Sequence, residues 1–440
     1  MKQPNIIFYF TDQQRWDTLG CYGQPLPVTP NLDRLAAEGT RFDLAFTCQP
    51  VCGPARSCLQ TGLFATQTGC YVNGISLPQN IDTLARRFNQ AGYDTAYVGK
   101  WHLASDTGQN DFRTVPIPRE RLGGYQHFIG ADVLEFTSHG YNGYVFDQDG
   151  RQHDFVGYRV DCVNQYAVDY LQQHARQNKE QPFFLFVSQL DPHHQNDRNR
   201  YEGPDGSKRR FRDYVVPGDL VGTEGDWREN YPDYLGQCNR IDSNIGLLMD
   251  TLQELGYDEN TLIFYTSDHG SHFRTRNREY KRSCHDGCLR VPLIAWGPGF
   301  MDGGVRSELV SLIDLPKTML DCAGVAVPDH YQGHSLLGLM ENRVSWPDSV
   351  FAQISESSTG RTVRTRRWKY AVQAPQPEHP AYSNHYVEQF LYDLEADPHE
   401  RHNLVSDPTY APVRQDLQAR LLDHMAKAGE KRPAIDPQPL

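Results

Sequence analysis

One repeated pairing constrains this chain most: a short, wholly apolar run that stops abruptly at a cluster of ionisable residues. Asn5-Ile6-Ile7-Phe8-Tyr9-Phe10 runs into Asp12 and Gln13. Residues 94–98 lead to Gly99-Lys100-Trp101-His102, residues 183–190 to Asp191-Pro192-His193, and residues 261–266 to Ser267-Asp268-His269-Gly270. Residues 291–296 form a fifth run. Such runs read as strands buried on both faces. Between them, residues 31–38, 163–177 and 234–255 carry apolar side chains at helical spacing; Ile241, Ile245, Leu248, Leu252 and Leu255 mark the last. This alternation implies an α/β fold, with a large mixed, mostly parallel sheet and helices on both faces. Ligands bind such sheets outside the carboxyl ends of the strands, where this chain concentrates its polar chemistry.

The 440 residues exceed one ordinary core. Near residue 345 the pattern changes to short runs at 349–354, 369–372 and 390–394, then a helix over 411–427 and a Pro-rich tail. The expected division is a catalytic domain at 1–345 and a smaller C-terminal α+β subdomain with an antiparallel sheet at 346–440. Residues 196–228 read as a polar loop. The net charge of −12 argues against a nucleic-acid partner. No apolar run is long enough to span a bilayer, so no membrane partner is expected. The amino end enters its first strand with no small-residue cleavage site, which reads as cytoplasmic, or as periplasmic or secreted if a leader has been removed. The ten cysteines lack zinc-site spacing and are expected to be mostly reduced, buried thiols.

In Cys52-Gly53-Pro54-Ala55-Arg56, Pro54 suits the first turn of a helix. Cys52 then sits at the helix N-terminus, where the dipole and free N–H groups favour negative charge. This motif, continued by Ser57-Cys58-Leu59-Gln60-Thr61-Gly62, resembles the signature of type I sulfatases of the alkaline-phosphatase superfamily. Leu19-Gly20-Cys21-Tyr22-Gly23, Thr29-Pro30-Asn31-Leu32-Asp33-Arg34-Leu35-Ala36, Gly99-Lys100-Trp101-His102-Leu103 and Leu391-Tyr392-Asp393-Leu394 are similar to further family segments, in order along nearly the whole chain.

The resemblance implies a sulfuric-ester hydrolase acting on a sulfated carbohydrate. A maturation enzyme would oxidise Cys52 to formylglycine. One hydroxyl of its hydrate would attack sulfur, and the second would expel sulfate from the sulfated enzyme, a release that a plain thiol, with no second hydroxyl, could not perform. Arg56 would hold the nucleophile, Lys100 and Lys281 would bind sulfate oxygens, His102 would take a proton, and His193 would protonate the leaving alcohol, with His194 as the adjacent alternative. Asp12, Gln13, Asp268 and His269 would hold a divalent metal. Hard oxygen ligands favour Ca²⁺; His269 keeps Mn²⁺ open, and Mg²⁺ is the other alternative. Asn73, in the turn-like Tyr71-Val72-Asn73-Gly74, reads either as a turn residue or as a substrate contact.

Two departures matter. Gln13 stands where many relatives have a second Asp, which removes one negative charge from the metal set. Arg274, Arg276 and Arg278 replace a mostly neutral loop, so Arg274 and Arg276 are expected to grip an anionic glycan. A second basic run, Lys208-Arg209-Arg210-Phe211-Arg212, reads equally as a solvated loop. Two rival functions remain at this stage. One is a phosphonate monoester or phosphodiester hydrolase of the same superfamily, disfavoured by Lys100 and His102. The other is a non-catalytic glycan-binding protein on a sulfatase scaffold. The sugar, the sulfate position and endo or exo action are not legible.

Overall fold

The structure, a computed structural model, describes residues 3–438. The outermost residues of the two expected domains, Met1, Lys2, Pro439 and Leu440, lie outside the described residues.

The large sheet contains β1 Asn5–Thr11, β2 Thr40–Phe46, β3 Asp94–Lys100, β4 His127–Ala131, β5 Ser138–His139, β6 Asn142–Asp147, β7 Gln152–Val156, β8 Phe183–Ser188, β9 Thr261–Ser267, β10 Arg290–Val291, β11 Leu293–Trp296 and β12 Gly304–Ser311. Their order is β10-β2-β11-β9-β1-β8-β3-β4-β6-β5, with β12 beside β2 and β7 beside β6. The centre, from β9 through β1, β8 and β3 to β4, is parallel. Both flanks are antiparallel, apart from the parallel pairing of β12 with β2.

Every residue of β1, β3, β8 and β9 is buried, as apolar composition on both faces requires. Successive side chains alternate between faces. Ile6, Phe8 and Phe10 join one core with Phe186, Phe264, Leu315 and Met319. Ile7 and Tyr9 join the other with Val163, Leu171, Ile241, Ile245 and Leu248 of helices Arg159–Gln177 and Trp227–Leu255. A buried side chain of this size contributes about 1.5–3 kcal/mol, so both faces of the central strands resist any slip in register.

Two expectations are corrected. The run at 291–296 is not one strand: Pro292 lacks an N–H, and β10 and β11 lie on either side of it, both antiparallel to β2. The expected loop at 196–228 contains the short helix Ser207–Arg210 and ends earlier, because helix Trp227–Leu255 begins there and continues through Pro232. Trp227, Tyr231 and Tyr234 anchor that extension in an aromatic cluster with Tyr201 and Phe273.

The second sheet runs β13 Ser349–Ile354, β14 Gly360–Thr365, β15 Trp368–Gln373, β16 His385–Asp393 and β17 Ala434–Asp436. It is antiparallel except for β17, which lies parallel to β16. Helix Ala411–Lys427 packs Leu417, Leu421 and Met425 on Val363 and Tyr370. The same core includes Cys48, Cys58 and Phe64, so this sheet braces the segment that carries Cys52. All ten cysteines are free.

Candidate active site

The carboxyl ends of β1, β3, β8 and β9 deliver their polar residues to one place. Helix Cys52–Thr61 points its N-terminus at that place, with Cys52 as its first residue. Its cap, Val51, is extended and offers no side-chain hydrogen bond. Asn73 helps instead: its Oδ1 accepts from Gly53 N at 2.9 Å. Ala55 N donates to the Val51 carbonyl at 2.9 Å and Pro54 has no N–H, so it is the positive end of the helix dipole, rather than a ring of free N–H groups, that the buried sulfur meets.

Cys52 Sγ lies 3.4 Å from Asp12 Oδ1 and 3.5 Å from His269 Nε2, and accepts from Lys281 Nζ at 2.7 Å. Burial raises its pKa, but Lys100 and Lys281 outweigh burial and hold the thiol well below its ordinary value. His102 and His193 also reach it. Arg56, one turn along the helix, donates to the Lys100 carbonyl at 2.9 Å and to Ser188 Oγ at 2.6 Å, and pairs with Asp12 Oδ2 at 3.0 Å. Lys100 Nζ bridges Asp12 Oδ2 at 2.9 Å and Glu135 Oε2 at 3.1 Å. Burial disfavours charge on Lys100, yet Asp12, Cys52 and Glu135 raise its pKa. His193 donates from Nδ1 to the His194 carbonyl at 2.6 Å, which turns Nε2 toward Lys281 Nζ, 3.3 Å away. Burial, then Lys281, lowers the pKa of His193.

Asp12, Cys52, Asp268 and His269 place potential ligand atoms within 4.8 Å of one another. Three features fit a divalent cation. Asp268 Oδ2 is buried without a hydrogen bond. Burial, then Asp12, pushes the Asp268 carboxyl up to about 7, even though Arg56 lies 3.0 Å from Asp12 and 3.5 Å from Asp268, as expected where one guanidinium serves two buried carboxylates. His269 donates from Nδ1 to the Gly270 carbonyl at 2.9 Å, leaving the Nε2 lone pair toward the carboxylates. Gln13 joins them: its Nε2 donates to Tyr201 OH at 2.7 Å, so its amide oxygen is the end available to a cation.

The backbone is strained around this centre. Gln13, His102, Phe273, Arg274 and Arg282 all hold positive φ, at 71°, 58°, 49°, 63° and 66°. Non-glycine residues adopt this region at a cost of roughly 1–3 kcal/mol each. At Gln13 the strain is held by its N–H donating to Asp268 Oδ1 at 3.0 Å and its carbonyl accepting from Tyr234 OH at 2.6 Å.

A cavity of about 320 Å³ opens over Cys52, lined by Gln13, Asn73, His102, His193, Arg274 and Lys281 among others. Asp12, Arg56, Lys100, Asp268 and His269 lie beneath it through the contacts above. Arg276 does not join them: it donates to the carbonyls of His399 and Glu400, both at 2.9 Å, and faces the C-terminal sheet. His194 lines the cavity, with its ring on Tyr280 at 4.3 Å. Sequence reasoning missed Glu135, Tyr201 and Asn199, whereas Glu356 belongs to the polar segment 355–359 that the sequence reading brings to the mouth of the site. Glu135 pairs Lys100, while Glu356 pairs Arg282 and accepts from Asn73 N at the rim. Nothing in the local sequence of Glu135, Tyr201 or Asn199 separates them from surface residues. The second basic run does not line the cavity over Cys52; Lys208 pairs with Glu229 beside a neighbouring cavity, and Arg212 pairs with Asp213.

Residues 4–325 match the family model described as Sulfatase, and residues 278–427 match the model of the C-terminal part of N-sulphoglucosamine sulphohydrolase. An uncharacterised sulfatase of Escherichia coli K12, YidJ, is 34% identical over 97% of this chain and 88% of its own. The N-acetylglucosamine-6-O-sulfatase of Bacteroides thetaiotaomicron is 28% identical over 97% of this chain and 87% of its own. A protein solved with its substrate D-glucosamine-2-N,6-O-disulfate superposes with a TM-score of 0.81 at 25% identity, covering 98% of this chain and 99% of that one. This chain belongs to the sulfatase family and is a sulfuric-ester hydrolase.

Proposed function

We propose that this enzyme removes sulfate from a sulfated carbohydrate through a nucleophile made from Cys52. One observation carries the reading: Cys52 Sγ sits at the first residue of a buried helix, 2.7 Å from Lys281 Nζ and within 3.5 Å of Asp12 and His269. The relatives named for sulfated amino sugars support the substrate class.

Asp12, Gln13, Asp268 and His269 are the residues that would hold a divalent cation. Their mostly oxygen donors favour Ca²⁺, with Mn²⁺ or Mg²⁺ as alternatives. A cation held there supplies positive charge that lowers the pKa of a neighbouring hydroxyl. Conversion of Cys52 to formylglycine by a maturation enzyme would supply an aldehyde, and addition of water to it would give a hydrate with two hydroxyls on one carbon, one to attack sulfur and one to release sulfate.

The side chains around them neutralise, orient and move protons. Lys100 and Lys281 balance the charge that builds on the sulfate oxygens. Arg56, held by Asp12, the Lys100 carbonyl and Ser188, fixes the nucleophile's orientation. Asn73 and Arg274 contact the sugar, whereas Arg276, bonded to His399 and Glu400, acts on the fold. His102 accepts the proton whose loss frees sulfate. Burial, then Lys281, favour the neutral form of His193 in the free protein. An arriving sulfate anion reverses that field, so His193 holds a proton on Nε2 for the leaving alcohol.

The test is sulfate release from a panel of sulfated saccharides, beside cleavage of an aryl phosphonate ester, with the mass of residue 52 measured first. Release that requires both the aldehyde form and a divalent metal is the expected result. Matured protein that spares every sulfate but cleaves the phosphonate would establish the phosphonate hydrolase instead. Tight saccharide binding without turnover of either would mark a glycan-binding scaffold.

A further inference from the structure

We infer that the reaction centre lies partway along an open polar cleft, so that the enzyme desulfates internal residues of an oligosaccharide. This inference rests on the sulfatase reading above. It starts from the cavities next to the one over Cys52. A cavity of about 700 Å³ shares Asn199 and Arg274 with it. Another, of about 240 Å³, shares Asn73, His102, Glu135 and Asn196. The short turn Asn196–Arg198 divides the two openings, with Asn196 facing one and Asn199 the other. A pocket built for a chain end closes around one sugar ring. This one continues past it in two directions.

Both extensions carry groups suited to sugars. In the larger, Tyr141 is 44% exposed yet fixed, its ring 5.3 Å from Tyr158 and its hydroxyl accepting from Asp205 N at 2.8 Å. In the smaller, Phe136 is 47% exposed with Arg113 over its ring at 5.5 Å. Rigid exposed aromatics stack on the apolar face of a sugar at little entropic cost. Buried polar atoms without hydrogen bonds lie along the same path: Asp226 Oδ1 in the larger cavity, His194 Nε2 over the centre, and His102 Nδ1 toward the smaller. Buried polar atoms are normally bonded, and ligand hydroxyls would complete them.

The charges of the larger cavity say which ligand groups it takes. Arg198 and Arg200 are paired to Glu202, and Lys208 to Glu229 and Asp233. Each of these cations already has a carboxylate partner, and Asp205 and Asp226 add further negative charge to the lining, so the neighbouring sugar presents hydroxyls there rather than a second sulfate.

The experiment compares matured enzyme on a sulfated monosaccharide, N-acetylglucosamine 6-O-sulfate first, and on tetrasaccharides carrying one such sulfate on an internal or a terminal residue. If the panel identifies another sugar, that sugar replaces it. Internal sulfate should be released with the higher kcat/KM. Tyr141→Ala and Phe136→Ala should each lower kcat/KM on the internally sulfated tetrasaccharide by about tenfold and leave a small aryl sulfate unchanged. Release from terminal residues alone, or variants that leave the tetrasaccharide unaffected, would overturn the cleft. If no sulfated compound is turned over, the proposed activity has failed. The cleft is then judged by calorimetry of the thiol protein with heparan-sulfate and chondroitin-sulfate octasaccharides. Binding that Tyr141→Ala weakens would uphold it, and no binding would overturn it.

Discussion

Two of the clusters of buried charge in this molecule are built on opposite terms. In one, Lys369 of the second sheet is wholly buried and bonds both Asp286 and Glu400, while Arg364 reaches Asp286 at 3.4 Å and Asp286 N donates to Glu400 Oε2 at 2.7 Å. Its charges answer one another, and it pins helix Asp286–Leu289 to the C-terminal strands. The other cluster surrounds Cys52. There Asp268 Oδ2 makes no hydrogen bond and lies 3.5 Å from an Arg56 guanidinium that it shares with Asp12. Lys281 is aimed at a sulfur and an imidazole, and among the described residues it forms no ion pair with a carboxylate. Closed pairing makes a joint. Incomplete pairing makes a site, because a charge that the fold leaves unanswered is one that a ligand can answer.

Three measurements would break or sharpen that contrast. The largest effect is expected from removing one lysine of each cluster. Lys369→Met strands two buried carboxylates and should lower unfolding stability by roughly 3–5 kcal/mol, read from urea midpoints, with turnover per folded molecule retained. Lys281→Met should leave the midpoint within about 1 kcal/mol and lower kcat roughly 10²–10³-fold, the scale of losing one preorganised charge contact. Equal stability losses would erase the distinction.

Next comes metal. Ca²⁺ at a hundredfold excess over its Kd should stabilise the protein by about 2.7 kcal/mol, seen as a rise in Tm that EDTA reverses. Asp268→Asn should abolish the rise while leaving the metal-free Tm unchanged or higher, since burial and Asp12 already press that carboxyl toward its neutral form. A variant that still responds to Ca²⁺ would move the cation away from Asp268.

The smallest effect separates two neighbouring arginines. Arg274→Ala should raise KM for a charged glycan about tenfold, and spare a small aryl sulfate. Arg276→Ala should instead cost about 1–2 kcal/mol of stability, the scale of losing charged hydrogen bonds, with KM little changed. Matching KM effects would put both side chains at the substrate.

Much of the parallel centre was legible before the structure. The first strand has the bounds its apolar run suggested, as do β13 and helix Ala411–Lys427, because burial on both faces or a clean helical stripe leaves a local imprint. The antiparallel flanks left none. The first five residues of β12 are not buried, and β6 and β7 mix exposed and buried positions. Such segments become strands through the partner they meet. The corrected segment at Pro292 shows the same limit: composition marked the run, and backbone hydrogen bonding divided it.

The site divides in the same way. Its residues at strand ends and on the Cys52 helix were readable because position and chemistry coincide within a few residues. Glu135 and Tyr201 arrive from separate segments. Arg274 and Arg276 are two residues apart and chemically identical, yet one lines the cavity over Cys52 and the other bonds carbonyls more than 120 residues away. By itself the sequence determined the parallel core and the inventory of nucleophile, cations and acids at its edge, since burial pattern and side-chain chemistry are local properties. Only the tertiary structure decided which charges are answered, which arginine turns inward and where the cleft leads, because pairing and direction depend on what the rest of the chain brings alongside.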